Sequence, residues 1–157
     1  MGEPVLDGRD IPVDGDGRIV NRPLLVDGNN YTVTCVSMGN PHCVVYLDDI
    51  ESLDLATLGP KFEHHRFFPK RVNTEFIQIL SPKEVRMRVW ERGAGETWAC
   101  GTGASAVGVA GVMTGRTARV ITVHLKGGDL LIEWRDNNHV YMTGAAVEVF
   151  QGTINVQ

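Results

Sequence analysis

The sequence predicts an α+β fold in which antiparallel strands curl around a central buried helix. One observation behind this is the segment ASAVGVAGVM at residues 104–113, whose only polar side chain is Ser105. A helix without a polar face must be buried on all sides. The other observation is a series of short runs rich in Val, Ile, Thr and Tyr, separated by Gly, Asn, Asp and Pro, which is typical of strands joined by tight turns.

Composition limits the classes of protein to which the chain can belong. Its 157 residues are 43% hydrophobic and 22% charged, with a formal net charge of -4, as in compact domains. Interspersed acidic and basic residues argue against a nucleic acid or an anionic membrane as partner. Three irregularly spaced cysteines, no signal peptide and no apolar run of roughly 20 residues predict a cytoplasmic protein without a disulfide framework.

The predicted elements follow one another along the chain. Residues 1–30 are rich in Gly, Asp, Asn and Pro and predict turns and edge strands. A short helix is predicted over residues 53–65, with Asp54 as its N-cap and Gly59-Pro60 as an interruption. Strands are predicted at residues 31–37, 43–49, 74–80, 84–92, 119–125, 129–134, 139–143 and 146–150.

The apolar helix is predicted from about Thr102 to Met113, with Gly115 as the glycine that follows its C-terminus. Gly108 and Gly111 lie three residues apart on one side of this helix. Since a glycine has no side chain, we expect the surrounding strands to approach the helix closely there.

Cys100 precedes the first turn of this helix and is the first candidate for chemistry. The backbone N–H groups of Gly101, Thr102 and Gly103 have no partners within the helix, and with the helix dipole they favour a nearby negative charge. This setting predicts a lowered pKa for the Cys100 thiol and a docking point for a carboxylate or phosphate. The alternative is a structural cysteine buried beside packing glycines.

Glu91 is the second candidate. The alternation in EVRMRVWER places it on the face that Val85, Met87 and Val89 direct inward. An inward carboxylate must be paired or have a shifted pKa, as an acid/base site requires. The alternative is that the strand ends or bulges at Trp90, which would leave Glu91 in water.

The run MGNPH at residues 38–42 places Asn40 and His42 on a predicted tight turn, where the histidine can carry a proton. The alternative is a solvated loop histidine. Asn73, just before a strand, is by itself only a turn residue. No metal site is predicted, because the spacing of the cysteines and of His64-His65 matches no zinc pattern.

Three longer motifs follow one another along the chain: SMGNPHCVVYLDDI (37–50), FPKRVNTEFIQIL (68–80) and RVWERGAGETWACGTGASA (88–106). Their order and spacing closely resemble the C-terminal half of diaminopimelate epimerase, and the opening and closing segments of the chain are also similar to it. The resemblance implies interconversion of LL- and meso-diaminopimelate in lysine biosynthesis, without pyridoxal phosphate or metal. It also implies two pseudo-symmetric lobes, each with strands around a central helix and each supplying one cysteine.

The resemblance also assigns roles to residues. It implies that Cys100 is the acid/base of this lobe, that Glu91 tunes it, and that His42 assists the cysteine of the other lobe. The implied substrate contacts are the side chains of Asn40, Asn73, Glu91 and Arg92 and the backbone of Gly101 and Thr102.

The chain departs from the family in lacking the first half, with its cysteine in a Cys-Gly-Asn-Gly type motif. We therefore interpret it as a truncated gene product, a mis-assigned start or an expressed domain. Residues 1–145 are expected to form the second lobe, and residues 146–157 a strand that returns to the missing first lobe. We expect the isolated chain to be inactive; homodimer formation stays open.

Two other functions stay open at this point. One is a related amino-acid racemase or isomerase of the same fold, acting on another small molecule. The other is a non-catalytic fragment that binds a ligand or a partner chain.

Overall fold

The computed structural model describes residues 1–155, which form a nine-stranded mixed sheet and two helices. The strand order is β1-β2-β3-β4-β5-β7-β8-β9, with β6 pairing to β5. The elements are β1 (Arg22–Val26), β2 (Asn29–Ser37), β3 (Pro41–Tyr46), α1 (Leu55–Glu63), β4 (Asn73–Ser81), β5 (Glu84–Glu91), β6 (Gly95–Thr97), α2 (Gly101–Met113), β7 (Val120–Leu125), β8 (Gly128–Trp134) and β9 (Val140–Gly144).

The predicted fold class is confirmed, with one difference in the pairing of strands. Most neighbouring strands are antiparallel, but β3 and β4 run parallel, and so do β5 and β7. Parallel neighbours require a long crossover connection. Helix α1 lies in the crossover between β3 and β4, and α2 lies in the one between β5 and β7.

Helix α2 is the centre of the main core, as its sequence predicts. Residues 103–111 are all buried, and the helix contacts β2, β3, β4, β7, β8 and β9. Gly108 permits this packing, because a Cβ atom there would lie 2.6 Å from Ile132 Cγ2. The helix ends at Met113, and Gly115 follows with a φ of +69°, a conformation that favours glycine. Neither helix within residues 1–155 is long and apolar enough to cross a membrane.

Helix α1 belongs to a second core on the other face of the sheet. Phe62 packs edge-to-face against Tyr31 and Phe76, with ring centroids 5.1 and 5.4 Å away. The predicted cap is confirmed, since Asp54 accepts a hydrogen bond from the Thr57 backbone N–H at 3.1 Å.

The predicted interruption at Gly59-Pro60 is wrong, because α1 runs continuously from Leu55 to Glu63. Gly59 is present for a packing reason: a Cβ atom there would enter the indole ring of Trp90. Pro60 removes one backbone hydrogen bond from the helix. The burial of Leu55 and Phe62 on the same helix offsets this loss.

The strand predicted at residues 146–150 is also wrong for the described chain, where residues 145–155 form no helix or strand. The side chains of Val147, Val149, Phe150 and Ile154 are each more than four-fifths exposed. A strand is stabilised by a neighbour that pairs with it and covers its apolar face, and no described residue does so here. The last two residues of the predicted 146–157 segment lie outside the described part of the chain. Strand β6 was not predicted, because three residues are too few to show an alternation.

The close contact at Gly108 gives a prediction about stability. Gly108→Ala forces a methyl group against Ile132, and overpacking of this kind costs about 1–3 kcal/mol, while alanine gains about 1 kcal/mol in helix propensity. We expect a net loss of about 1 kcal/mol from these two effects together, measured by urea unfolding. Gly152→Ala, where a Cβ meets only ordinary contacts with Phe150, is the control and should change the free energy of unfolding by less than about 0.5 kcal/mol. An unchanged midpoint for Gly108→Ala would contradict the packing described for α2.

Candidate active site

Polar residues from three strands gather at one end of the sheet, beside the N-terminus of α2. The parallel register of β3 and β4 places His42 opposite Asn73. The antiparallel register of β4 and β5 places Thr74 opposite Trp90, so Glu91 follows at the same end. Sheet pairing therefore brings together the three motifs that the sequence separates by tens of residues.

Asn73 ties two of these motifs together. Its buried side chain donates from Nδ2 to the Pro41 carbonyl at 3.0 Å, and its Oδ1 accepts from the Arg92 backbone N–H at 3.0 Å. The first bond holds the start of β3, and the second holds the loop after β5. The amide keeps one further N–H and one oxygen lone pair for another partner.

His42 lies in β3 and not on a tight turn, which corrects the prediction for this residue; the turn is formed by residues 38–40. Its side chain is fully buried, so the alternative of a solvated loop histidine is also wrong. Both ring nitrogens have partners in the chain: Nε2 lies 2.9 Å from Asn40 Oδ1, and Nδ1 lies 2.7 Å from Glu75 Oε1.

Cys100 is the N-cap residue of α2, with extended backbone at φ −142° and ψ 103°. The predicted lowering of its pKa is wrong: burial, then the Glu75 carboxylate and, more weakly, the Glu91 carboxylate together raise the pKa of the thiol to about 11. The Thr102 hydroxyl and the Gly103 N–H act in the opposite direction. A helix terminus contributes typically 0.3–1 kcal/mol, less than one pKa unit, so burial and the two carboxylates outweigh it.

The Cys100 sulfur is therefore a protonated thiol at neutral pH. Its Sγ lies 3.6 Å from Thr102 Oγ1, a hydroxyl that can stabilise a thiolate once the proton has left. The N–H groups of Gly101 and Thr102 begin the helix without intrahelical acceptors, and both residues are half-buried. The arrangement can donate a proton and hold an anion at adjacent positions.

Glu91 is the last residue of β5, and Arg92 begins the loop that follows it. Glu91 is half-buried and accepts a hydrogen bond from the Thr97 hydroxyl, whereas Arg92 is exposed and donates from a guanidinium nitrogen to the Lys70 carbonyl at 3.2 Å. The buried Glu63 supports this loop by accepting from the Gly93 N–H at 3.0 Å.

Glu75 is the site residue that sequence reasoning missed. Its side chain is fully buried and contacts His42, and its carboxylate has a larger effect on the pKa of Cys100 than that of Glu91. The signal was present in NTEFIQIL, where alternation places residue 75 on the same face as Ile77. A charged residue on an inward face requires a partner, which would have identified it.

The fold has a counterpart among solved structures, and the sequence matches a known family. An α+β lobe of this kind is found in a phenazine biosynthesis protein of the PhzF family from Enterococcus faecalis, with a TM-score of 0.51 and 17% identity over 68% of this chain and 40% of that chain. Residues 34–149 match the family model described as diaminopimelate epimerase, and the chain belongs to that family.

Individual relatives agree with this family. A Pelotomaculum thermopropionicum protein named diaminopimelate epimerase is 57% identical over 153 residues, which cover 97% of this chain and 55% of that protein. One of the same name from Desulfovibrio desulfuricans is 58% identical over 160 residues, which cover 97% of this chain and 56% of that protein. The chain thus spans about half the length of the curated relatives it matches.

The burial of the three free thiols predicts their order of reactivity. Cys35 and Cys43 are fully buried, whereas Cys100 has 6% of its surface exposed at the helix terminus. We expect iodoacetamide to label Cys100 first, slowly at neutral pH and faster as pH rises toward about 11. Peptide mapping after brief alkylation is the measurement, and earlier labelling of Cys35 or Cys43 would contradict it.

The contacts of Glu63 predict a pH-dependent stability. Hydrogen bonds from Trp90 and Gly93, with His64 and Arg71 nearby, outweigh the opposing effect of burial and lower the pKa of Glu63. A carboxyl with a lowered folded pKa stabilises the protein above its unfolded value of about 4.3, and this stability is lost as pH falls through the folded value. Glu63→Gln should therefore cost about 1–3 kcal/mol at neutral pH, with a smaller difference in acid.

Thermal and urea unfolding of Glu63→Gln at several pH values provides the measurement. Glu148→Gln, a charge-removing change in the exposed segment 145–155, is the control. It should shift neither the thermal nor the urea unfolding curve at any of these pH values. A penalty for Glu63→Gln that is the same in acid as at neutral pH would show that its charge has no role.

Proposed function

We propose that this chain forms one lobe of a diaminopimelate epimerase, which interconverts LL- and meso-diaminopimelate in lysine biosynthesis by a cofactor-independent two-base reaction. Family membership supports the substrate, because the relatives carry this name. The structural observation that carries the proposal is the position of Cys100 as the N-cap residue of a buried helix, with its sulfur 3.6 Å from Thr102 Oγ1. A proton donor and an anion-binding helix end then act on one amino-acid centre.

Inversion at the α-carbon needs one acid/base group on each face. In one direction, a base on the far face removes the α-proton and its electron pair stays on the carbon as a carbanion. The Cys100 S–H then donates its proton to the near face, which leaves a thiolate stabilised by the Thr102 hydroxyl and the Gly103 N–H. In the other direction, Cys100 enters as the thiolate and removes the proton. The second base belongs to the part of the relatives that this chain does not span.

The substrate would be held by the groups gathered at this end of the sheet. Its α-carboxylate would accept from the N–H groups of Gly101 and Thr102, while the exposed Arg92 would bind an outer charged group. Asn40, Asn73 and Glu91 would supply the remaining polar contacts, and Glu91 would also tune Cys100. His42 would assist the cysteine of the other lobe through the polar groups around it.

The other lobe would complete the protein. We propose that residues 1–145 form the lobe described above and that residues 146–157 pair with the other lobe. The exposed apolar side chains of Val147, Val149 and Phe150 support this, because they need a partner to leave water. The three free thiols fit a reducing, cytoplasmic setting, and pairing of two copies through the same segment is a further possible assembly.

The test joins this chain to the part of the Pelotomaculum thermopropionicum relative that it does not match. The two-lobed protein should convert LL- to meso-diaminopimelate, while residues 1–157 alone should not, because only one of the two acid/base groups is present. Cys100→Ala should abolish conversion, and Glu91→Gln should reduce it about 10²- to 10⁴-fold, the usual range for acid/base groups. Exchange of the α-hydrogen with deuterated solvent, followed by NMR, gives the rates.

Cys35→Ala is the matched control, since Cys35 is buried in the second core away from α2, and it should keep wild-type activity. Conversion that survives Cys100→Ala would refute the assigned role. Turnover of another amino acid but not of diaminopimelate would favour a related racemase. Binding of the other lobe without any turnover would favour a non-catalytic partner-binding chain.

A further inference from the structure

Glu75 is a buried charged residue for which the proposed reaction has no direct use. Its side chain has no exposed surface, and of its two oxygens only Oε1 has a hydrogen-bond partner among residues 1–155. A buried carboxylate oxygen without a partner is costly in free energy. Its persistence in the core beside Cys100 therefore needs an electrostatic explanation.

The first part of the explanation is the charge on His42. Its two ring nitrogens face two oxygen acceptors, Glu75 Oε1 at 2.7 Å and Asn40 Oδ1 at 2.9 Å. A neutral imidazole has one donor and one acceptor nitrogen, whereas an imidazolium has two donors. The imidazolium satisfies both contacts and also gives the buried Glu75 carboxylate its counter-charge.

The second part is the distance between Glu75 and the sulfur of Cys100. The point that a Cβ atom on Gly103 would occupy lies 2.7 Å from Glu75 Oε1 and 3.2 Å from Cys100 Sγ. The two atoms are therefore within about 6 Å of each other, the range in which one charge shifts the ionisation of another. Gly103 leaves this space open, because any larger residue would separate the carboxylate from the sulfur or displace it.

We propose that Glu75 is a positioning residue of the Cys100 site, whose carboxylate holds His42 as a buried imidazolium and disfavours the thiolate form of Cys100. The link to catalysis rests on the proposed function; the two electrostatic effects do not. Glu75 thus makes Cys100 a weaker acid and its thiolate a stronger base, without touching the substrate.

The other groups that face the sulfur act in known directions. Glu91, from the end of β5, favours the thiol, while Thr102 and the Gly103 N–H favour the thiolate. The imidazolium of His42, from β3, also favours the thiolate. Cys43 lies on the opposite face of β3 and is fully buried. Burial chiefly raises the pKa of its thiol, and the Glu75 carboxylate adds to this effect. Glu75 is the largest charged influence among them on Cys100.

The first experiment uses the unaltered chain. Long-range ¹H–¹⁵N spectra of its histidine rings across neutral pH should show His42 with both nitrogens protonated, assigned by its loss in His42→Gln. A His42 ring that is a neutral tautomer at neutral pH would overturn the first half of the proposal. This experiment needs no variant of Glu75.

The second experiment compares Glu75→Gln with wild type. The amide keeps the shape and can still accept from His42 Nδ1, but it carries no charge. His42 loses its charge together with the carboxylate, but Glu75 is the larger charged influence on Cys100. We therefore expect the thiolate absorbance of Cys100, taken as the difference from the Cys100→Ala protein, to titrate about one pH unit lower. The thiolate fraction at about pH 8 then rises about tenfold, and alkylation by at least about threefold, since a less basic thiolate is a weaker nucleophile.

Glu84→Gln is the control, since Glu84 lies at the other end of β5 and its side chain is 54% exposed. It should leave both the thiolate titration and the alkylation rate of Cys100 unchanged. If Glu75 only filled space, Glu75→Gln would keep the packing and would change neither the thiol titration nor the alkylation rate. Such an unshifted titration, in a Glu75→Gln protein with wild-type circular dichroism, would overturn the second half of the proposal.

The two-lobed protein then connects the effect to catalysis. Because Glu75 does not touch the substrate, Glu75→Gln should change KM less than about twofold and should raise kcat about threefold in the direction in which Cys100 donates its proton, since the thiol becomes more acidic. Its kcat–pH profile should move in the same direction as the thiol titration. If the unaltered two-lobed protein has no epimerase activity, the proposed function fails, while the histidine spectra and the thiol titration still decide the role of Glu75.

Discussion

The fold depends on one constraint: helix α2 has no side that can face water. Residues 103–111 are buried, so the sheet must surround the helix, and strands β2 to β4 and β7 to β9 all contact it. Glycines allow the strands to come close, as Gly108 does beneath Ile132. Because only the N-terminal end of the helix reaches the polar edge of the sheet, the burial of α2 also determines where Cys100 lies.

The same constraint sets the chemistry of the thiol. A helix terminus near water would favour a thiolate, but this one is inside the fold and has two carboxylates beside it. Burial and the nearby negative charge both favour the neutral form, and the pKa of Cys100 rises to about 11. The free N–H groups of Gly101 and Thr102 remain available for an anion, so the site separates the two tasks: the helix end binds charge, and the cysteine stores a proton.

Most of the fold could be predicted from the sequence, because the apolar run of α2 and the alternation in the strands are local signals. The motifs around Asn40, Asn73 and Cys100 likewise indicated the family. The pairing of His42 with Glu75 could not be predicted, since it depends on β3 and β4 being parallel neighbours in one register. The pKa of Cys100 depends on its depth and on Glu75, and the continuity of α1 through Pro60 depends on packing against Trp90. Each of these is a contact between residues distant in sequence.

The position of Trp98 has an optical consequence. Its side chain is 74% exposed, two residues before Cys100, whereas Trp90 packs on Gly59 and Trp134 lies under the guanidinium of Arg119 at 4.9 Å. The chain therefore carries one water-relaxed indole at the mouth of the site and two shielded ones elsewhere. A partner that covered Trp98 together with Cys100 would take this indole out of water, and the shift of its fluorescence to shorter wavelength would report the binding without a label.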